Sequence, residues 1–227
     1  MRMLFEVDAD WNKAFPGAHA GILVLRGAAN PPGDPGLQAK KSDLETRLRA
    51  RFAGADRAFL LNLPELRAYD AYYRRFKKTY HIQLQLESIL FKGKSIPTVA
   101  ALVEAMFMAE MEDLLLTAGH DLDALQPPVC LGVSAGNESY TLLRGEEQAL
   151  KPGDMCIRDA RGVISSVIYG PDRRTRITPE TKNVLFTTYA PAGIPAETVQ
   201  AHLENIGRTV RVFAPNAVTD ALKVYPG

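Results

Sequence analysis

The chain changes character near Asp123, and that change constrains its fold more than any motif does. Before it, apolar residues recur at helical spacing. After it they fall in short β-rich runs, "PVCLGVSA", "SYTLL", "MCIRD", "VISSVIYG" and "NVLFTTYA". The separators "GNE", "RGEE", "KPGD" and "ARG" are too short for a parallel crossover, so these strands are expected to pair as antiparallel hairpins. Helices first and strands later predict an α+β fold, with a helical N-terminal half packed on a mainly antiparallel (mixed) β-sheet. A chain of 227 residues can bury a sizeable core. Without repeats or a low-complexity linker, it is expected to form a single domain over 1–227, with its core at about 15–213.

The helical half can be placed segment by segment. "AHAGILVLRG", bounded by glycine, reads as a buried strand, and "AANPPGDPG" as an irregular loop. In "SDLETRLRARFAG", Ser42 and Glu45 have capping-box spacing, Leu44, Leu48 and Phe52 form one stripe, and Gly54 can stop the helix. Arg47, Arg49 and Arg51 lie off that stripe, on a solvated face. A second helix is expected from Pro64, with Leu66, Tyr69, Tyr73 and Phe76 on one side. Its basic end, Arg74, Arg75, Lys77 and Lys78, complements the helix dipole, and a phosphate contact is the alternative reading. "QLQLESILFKGK" gives a short helix closed by Gly93. "TVAALVEAMFMAEMEDLLLTAG" predicts a helix from about 98 to 116. It is apolar on most sides and therefore buried, with Met106, Met108 and Met111 as core filler and acids only at Glu104, Glu110, Glu112 and Asp113. A last helix is expected from Ala196 to about Arg208.

Composition removes several function classes. Lys and Arg number 27 against 26 Asp and Glu, a net charge of +1, so any nucleic-acid contact must be made by local clusters rather than bulk charge. No apolar run approaches the roughly 20 residues that span a bilayer, and the N-terminus lacks a signal-peptide pattern, so a cytoplasmic location is expected. Cys130 and Cys156 fall in strand-like runs and read as buried free thiols, with pairing across strands as the alternative. His19, His81, His120 and His202 are scattered without metal-ligand spacing, so no metal site is assigned and no cofactor is called for. Nucleophile elbows, phosphate-binding glycine loops and the RRM and KH signatures are missing. No catalytic residue is assigned.

One loop stands out. "YGPDRRTRITPET" places Asp172, Arg173, Arg174, Thr175, Arg176, Thr178 and Thr181 between two strand-like runs. Arginines there can pair with phosphates in bidentate fashion, while threonines donate and accept hydrogen bonds. The other reading is a surface loop in which Asp172 and the arginines satisfy one another.

From His120 onward the chain resembles the B3/B4 domain of the phenylalanyl-tRNA synthetase β subunit. "GHDLDAL" is similar to the family's His-x-x-Asp turn. "GNESYTLLRGEEQALKPGDMCIRDARGVISSVIYG" follows its Gly-Glu, strand, loop, strand, Asp, strand series, and "GPDRRTRITPETKNVLFTTYAP" its editing loop and closing strand. Upstream, "FPGAHAGILVLRG" and "YRRFKKTYHIQLQLESILFKGKSIP" look more like free-standing B3/B4 proteins, which lack the synthetase catalytic core. The resemblance implies an RNA-binding, tRNA-binding module that takes the aminoacylated 3′ end of tRNA, and a trans-editing hydrolase of mischarged aminoacyl-tRNA. A non-catalytic tRNA or aminoacyl-nucleotide binding module is the alternative. By residue, it implies that His120 lies near the terminal adenosine, that Asp172 takes the place of a hydroxyl-recognising glutamate, and that Thr181 follows the editing loop. Glu138 matches an acidic position of the series. Arg173, Thr175 and Arg176 complete the expected substrate- or RNA-binding set. His120 and the Asp172 loop are expected on the rim of one concavity.

Overall fold

The computed structural model describes residues 5–227. The first half runs β1 (Phe5–Val7), α1 (Ala9–Ala14), β2 (His19–Arg26), α2 (Pro35–Arg51), α3 (Arg57–Leu61), α4 (Pro64–Arg74), α5 (His81–Lys92) and α6 (Ala101–Asp113). Strands β3 (Leu116–Asp121), β4 (Val129–Val133), β5 (Ser139–Thr141), β6 (Glu147–Ala149), β7 (Met155–Asp159), β8 (Gly162–Ser166) and β9 (Gly170–Pro171) follow. The chain closes with β10 (Val184–Ala190), α7 (Ala196–Phe213) and β11 (Val218–Pro226).

The fold is α+β, with mainly antiparallel pairing, as the patterning predicts. The strands divide among three sheets. One has the order β1-β4-β7-β8-β9, one β11-β2-β10-β3, and β5 and β6 form a separate hairpin. The only parallel pairing among the described strands is β1 with β4. Helix α7 lies against β2 so closely that a Cβ on Gly21 would come within 2.6 Å of Val199 Cγ1. The two large sheets meet where Tyr189 on β10 bonds through its hydroxyl to Ser165 on β8.

Several helix boundaries differ from the sequence reading: α5 starts at His81, α7 runs on to Phe213, and α2 and α6 differ for reasons visible in the structure. Helix α2 starts at Pro35, with Asp34 Oδ1 accepting from Leu37 N at 2.9 Å, so Ser42 is interior rather than a cap. Proline at the first helical position costs no hydrogen bond, which puts the end of "AANPPGDPG" inside the helix. Glu45, free of any capping box, accepts from Ile96 N at 2.7 Å.

Helix α6 ends at Asp113, and "LTAGHD" is a strand. Leu114 adopts a left-handed conformation (φ 62°) that a leucine enters only when surrounding contacts compensate for it. Those contacts come from the helical half. The Tyr80 hydroxyl donates to Leu114 O at 3.2 Å, Leu116 N donates to the Tyr69 hydroxyl at 2.9 Å, and Thr117 N donates to Glu110 Oε1 at 2.9 Å. No glycine marks this stop, so periodicity ran through it. The burial reading holds: most of α6, including its three methionines, is buried.

Buried acids also have reasons. Glu104 is fully buried, and its Oε2 lies 3.0 Å from Lys41 Nζ, itself 6% exposed. Gln38 Nε2 and Val99 N, both at 2.9 Å, supply its other hydrogen bonds. Removing one partner of such a pair strands a buried charge. Glu104→Ala is therefore expected to cost roughly 3–5 kcal/mol in denaturant unfolding. The apolar double variant Lys41→Met/Glu104→Leu is expected to recover most of that loss.

Candidate functional site

A cavity of about 480 Å³ opens between α5, α6, the edge strand β3 and the loop after β9. Its walls are mostly apolar, with Val103, Met106 and Phe107 from α6, Leu116 and Ala118 from β3, and Ile177 from the loop. The loop can press against β3 because residue 119 is glycine: a Cβ there would come within 2.7 Å of Ile177 Cδ1. Leu143, beyond the β5 strand, is 49% exposed and stands at the edge of the opening.

Few polar groups face this space. Glu110 is 2% exposed and lines the cavity. One oxygen is held by Thr117 N, and its second carboxyl oxygen has no hydrogen-bond partner among the described residues. Burial raises its pKa to about 8, against the opposing pull of the Thr117 hydrogen bond. At neutral pH the group is thus a carboxylic acid, able to donate from the free oxygen. His81 and Gln85 of α5, Ser166 of β8 and Tyr189 of β10 also line the wall. None of these five was singled out as a site residue from the sequence. Glu110 was read as one of four acids on a buried helix, and only its place at the α6–β3 junction sets it apart.

The sequence-expected residues separate into two groups. His120, Asp172 and Thr175 are brought together, but beneath the surface rather than on a rim. His120 is 0% exposed, and its Nδ1 lies 2.8 Å from Thr175 Oγ1. The Thr175 hydroxyl donates to Asp172 Oδ1, so its oxygen accepts from the His120 Nδ1–H. Burial first, then the charge of Arg174, drives the His120 pKa down to about 3, and the ring is neutral. Asp172 also has a raised pKa, chiefly from burial, opposed by the Thr175 bonds and by Arg174. Neither His120 nor Asp172 lines the cavity; together they fix the shape of the loop that does.

The arginines divide in the same way. Arg174 is structural: Nη2 meets Asp159 Oδ1 at 2.8 Å, Nη1 donates to Ala124 O at 3.0 Å, and Nε lies 3.7 Å from Asp172. Arg173 and Arg176 are exposed, and among the described residues neither pairs with a carboxylate. Arg176 lines the cavity and donates to Arg173 O at 2.9 Å. Thr181 closes its own turn, with its hydroxyl donating to Asp121 and accepting from Thr178 N. Glu138 is away from the cavity lining, accepting from Ser134 Oγ at 2.7 Å and from Ala135 N and Gly136 N. Cys130 and Cys156 are free thiols on the neighbouring strands β4 and β7. Among the described residues no three His, Cys, Asp or Glu side chains group as metal ligands, and no helix is long and apolar enough to cross a membrane.

The B3/4 domain family matches residues 66–224, which includes every wall of the cavity. The chain belongs to the B3/4 domain family. Over 107 residues, 47% of this chain, it is 27% identical to the phenylalanine–tRNA ligase beta subunit of Mycoplasma genitalium. The chain spans only 12% of that relative's length. In three dimensions it is similar to an N-terminal fragment of the phenylalanyl-tRNA synthetase β subunit from Pyrococcus horikoshii. That match has a TM-score of 0.53 at 14% identity and covers all of this chain and 55% of the fragment. At that identity the likeness concerns the fold. The cavity, its acid and its cationic loop all lie within the part of the chain that the family matches.

The acid gives the B3/4 domain a pH signature. Glu110 ionises near the ordinary 4.5 when unfolded and at about 8 when folded. Its contribution to stability is complete below pH 4.5 and is lost as pH rises through 8. Glu110→Gln is expected to flatten the wild type's fall in stability between pH 5 and 8, a difference of up to roughly 4 kcal/mol. Denaturant midpoints across that range measure it, and parallel profiles for the two proteins would contradict the assignment.

Proposed function

We propose that this protein receives the aminoacylated 3′ end of a tRNA in the α5–α6–β3 cavity and hydrolyses the ester as a trans-acting editing enzyme. The observation that carries the reading is one neutral carboxyl, Glu110, in a mostly apolar cavity whose lining includes Arg176, a cation without a carboxylate partner among the described residues. The family relationship supplies the class of ligand, because both relatives named above are β subunits of enzymes that join phenylalanine to tRNA.

The chemistry asks little of the protein. Water adds to the ester carbonyl, the carbon–oxygen bond to the ribose breaks, the ribose oxygen takes a proton, and the amino acid leaves as a free carboxylate. The ester is already activated, and the neighbouring ribose hydroxyl can help place the water. Positioning and exclusion of wrong substrates then supply the advantage. Val103, Met106, Phe107 and Ile177 would hold the amino-acid side chain, the neutral Glu110 would orient the ester by donating a hydrogen bond to one of its oxygens, and Arg173 and Arg176 would meet backbone phosphates. His120, Asp172, Thr175 and Thr181 act in this reading by holding the loop in place.

Incubation with a panel of tRNAs mischarged with apolar amino acids is expected to release amino acid faster than spontaneous hydrolysis. Arg173→Ala/Arg176→Ala should weaken tRNA binding more than tenfold, since each charge-assisted contact contributes roughly 1.5–3 kcal/mol, and should reduce its salt dependence. Thermal stability should be unchanged, because neither side chain pairs with a carboxylate. Salt-dependent binding without release from any member of the panel would instead identify a non-catalytic module.

A further inference from the structure

The basic end of α4 is not consumed by the helix it terminates. The α4 exit is a Schellman turn with a lysine where glycine is usual: Lys77 has φ 57°, Lys78 N donates to Tyr73 O at 3.1 Å, and Lys77 N donates to Arg74 O at 3.0 Å. The carbonyl of Phe76 is met by Lys151 Nζ at 2.9 Å. The terminal carbonyls thus have partners that are not the Lys77 and Lys78 ammonium groups.

Those two charges point elsewhere. Lys77 is exposed, and among the described residues neither Lys77 nor Lys78 forms an ion pair. Lys78 Nζ lies 4.5 Å from the centroid of the Tyr169 ring, a cation–π contact that fixes the ammonium in place. Tyr169 directly precedes Gly170 and Pro171, which line the cavity. The same loop carries Arg173 and Arg176 onward. Cations therefore stand at both ends of the loop that walls the cavity mouth, one set from α4 and one from the loop itself. Arg74 is excluded, since it pairs with Asp70 at 2.8 Å. Arg75, exposed and 5.5 Å from the Phe15, Tyr72 and Phe76 rings, is seated on aromatics at the ends of α1 and α4 rather than on the Tyr169 loop and is left out of that set.

We infer that Lys77 and Lys78, with Lys78 seated on Tyr169, form an RNA phosphate track that leads along the α4 exit to the mouth of the cavity. The inference rests on the proposed function for the identity of the RNA as a tRNA. It adds where the strand approaches: from the α4 side, past Tyr169, with the arginines on the far side of the mouth. A nearly neutral chain needs such a local, directional arrangement, because its overall charge offers no attraction to RNA.

The test uses Lys77→Gly/Lys78→Met, in which glycine suits the positive φ and methionine keeps an unbranched stem against Tyr169. Wild type and variant are compared for binding to a full-length deacylated tRNA over a salt series, and for hydrolysis of an aminoacyl-adenosine that has no phosphodiester. The variant should bind tRNA at least tenfold more weakly, with a log–log salt slope smaller by about 1.4–1.8, the equivalent of two phosphate contacts. Hydrolysis of the aminoacyl-adenosine should be unchanged. Equal affinity and slope for variant and wild type would overturn the track while leaving the proposed function standing. Wild type that hydrolyses the aminoacyl-adenosine but binds phosphatidylserine vesicles in place of tRNA would overturn the RNA assignment. Wild type that neither binds tRNA nor hydrolyses the small ester would overturn the proposed function together with the track.

Discussion

The hydrogen bond from Thr117 N to Glu110 sits at the point on which the cavity depends. It joins the last turn of α6 to the first residues of β3, across a reversal that passes through a left-handed leucine. The tyrosines Tyr69 and Tyr80, stacked with ring centroids 4.1 Å apart, hold the same reversal from the helical side. Tyr69 also donates to Tyr189 O at 2.5 Å, tying the reversal to the central strand β10. One cluster of hydrogen bonds therefore aligns α6 with the edge of the sheet, and the space left between them is the cavity. The acid that makes the bond is also the group whose other oxygen has no hydrogen-bond partner among the described residues.

A second constraint acts on the opposite wall. The loop after β9 carries enough charge to be mobile, yet it is pinned from below. Arg174 bonds to Asp159, and Asp172 to Thr175 and through it to His120. These bonds join the buried polar groups to one another, although the His120 Nε2 atom is buried without a hydrogen-bond partner among the described residues. The cations left over, Arg173 and Arg176, are the ones that reach solvent. Of the two readings of this loop, self-satisfaction describes its inner half, and the proposed ligand contact rests on its outer half.

Much of the fold was legible. Strand runs, turn residues and the Pro64 and Gly93 boundaries are local signals, and they held. The misplaced boundaries have tertiary causes: Tyr80 and Glu110 stop α6 without a glycine, and Asp34 preempts Ser42 as the cap of α2. The site was less legible. Glu104 and Glu110 occupy the same helix six residues apart and look alike in sequence, yet one is matched by Lys41 and the other faces a cavity. Only the positions of distant chain segments separate them. His120 and Asp172 were recognised as belonging together, but burial, which no spacing rule reports, turns them from expected ligand contacts into supports for the loop.

The most direct test of the account is where an aminoacyl group sits. A tRNA charged with the photoreactive amino acid benzoylphenylalanine, irradiated with the protein and analysed by peptide mass spectrometry, reports that position. Labelling of Met106 or its neighbours Val103 and Phe107 is the result predicted. Labelling confined to residues outside the cavity, such as the solvent face of α7, would contradict it.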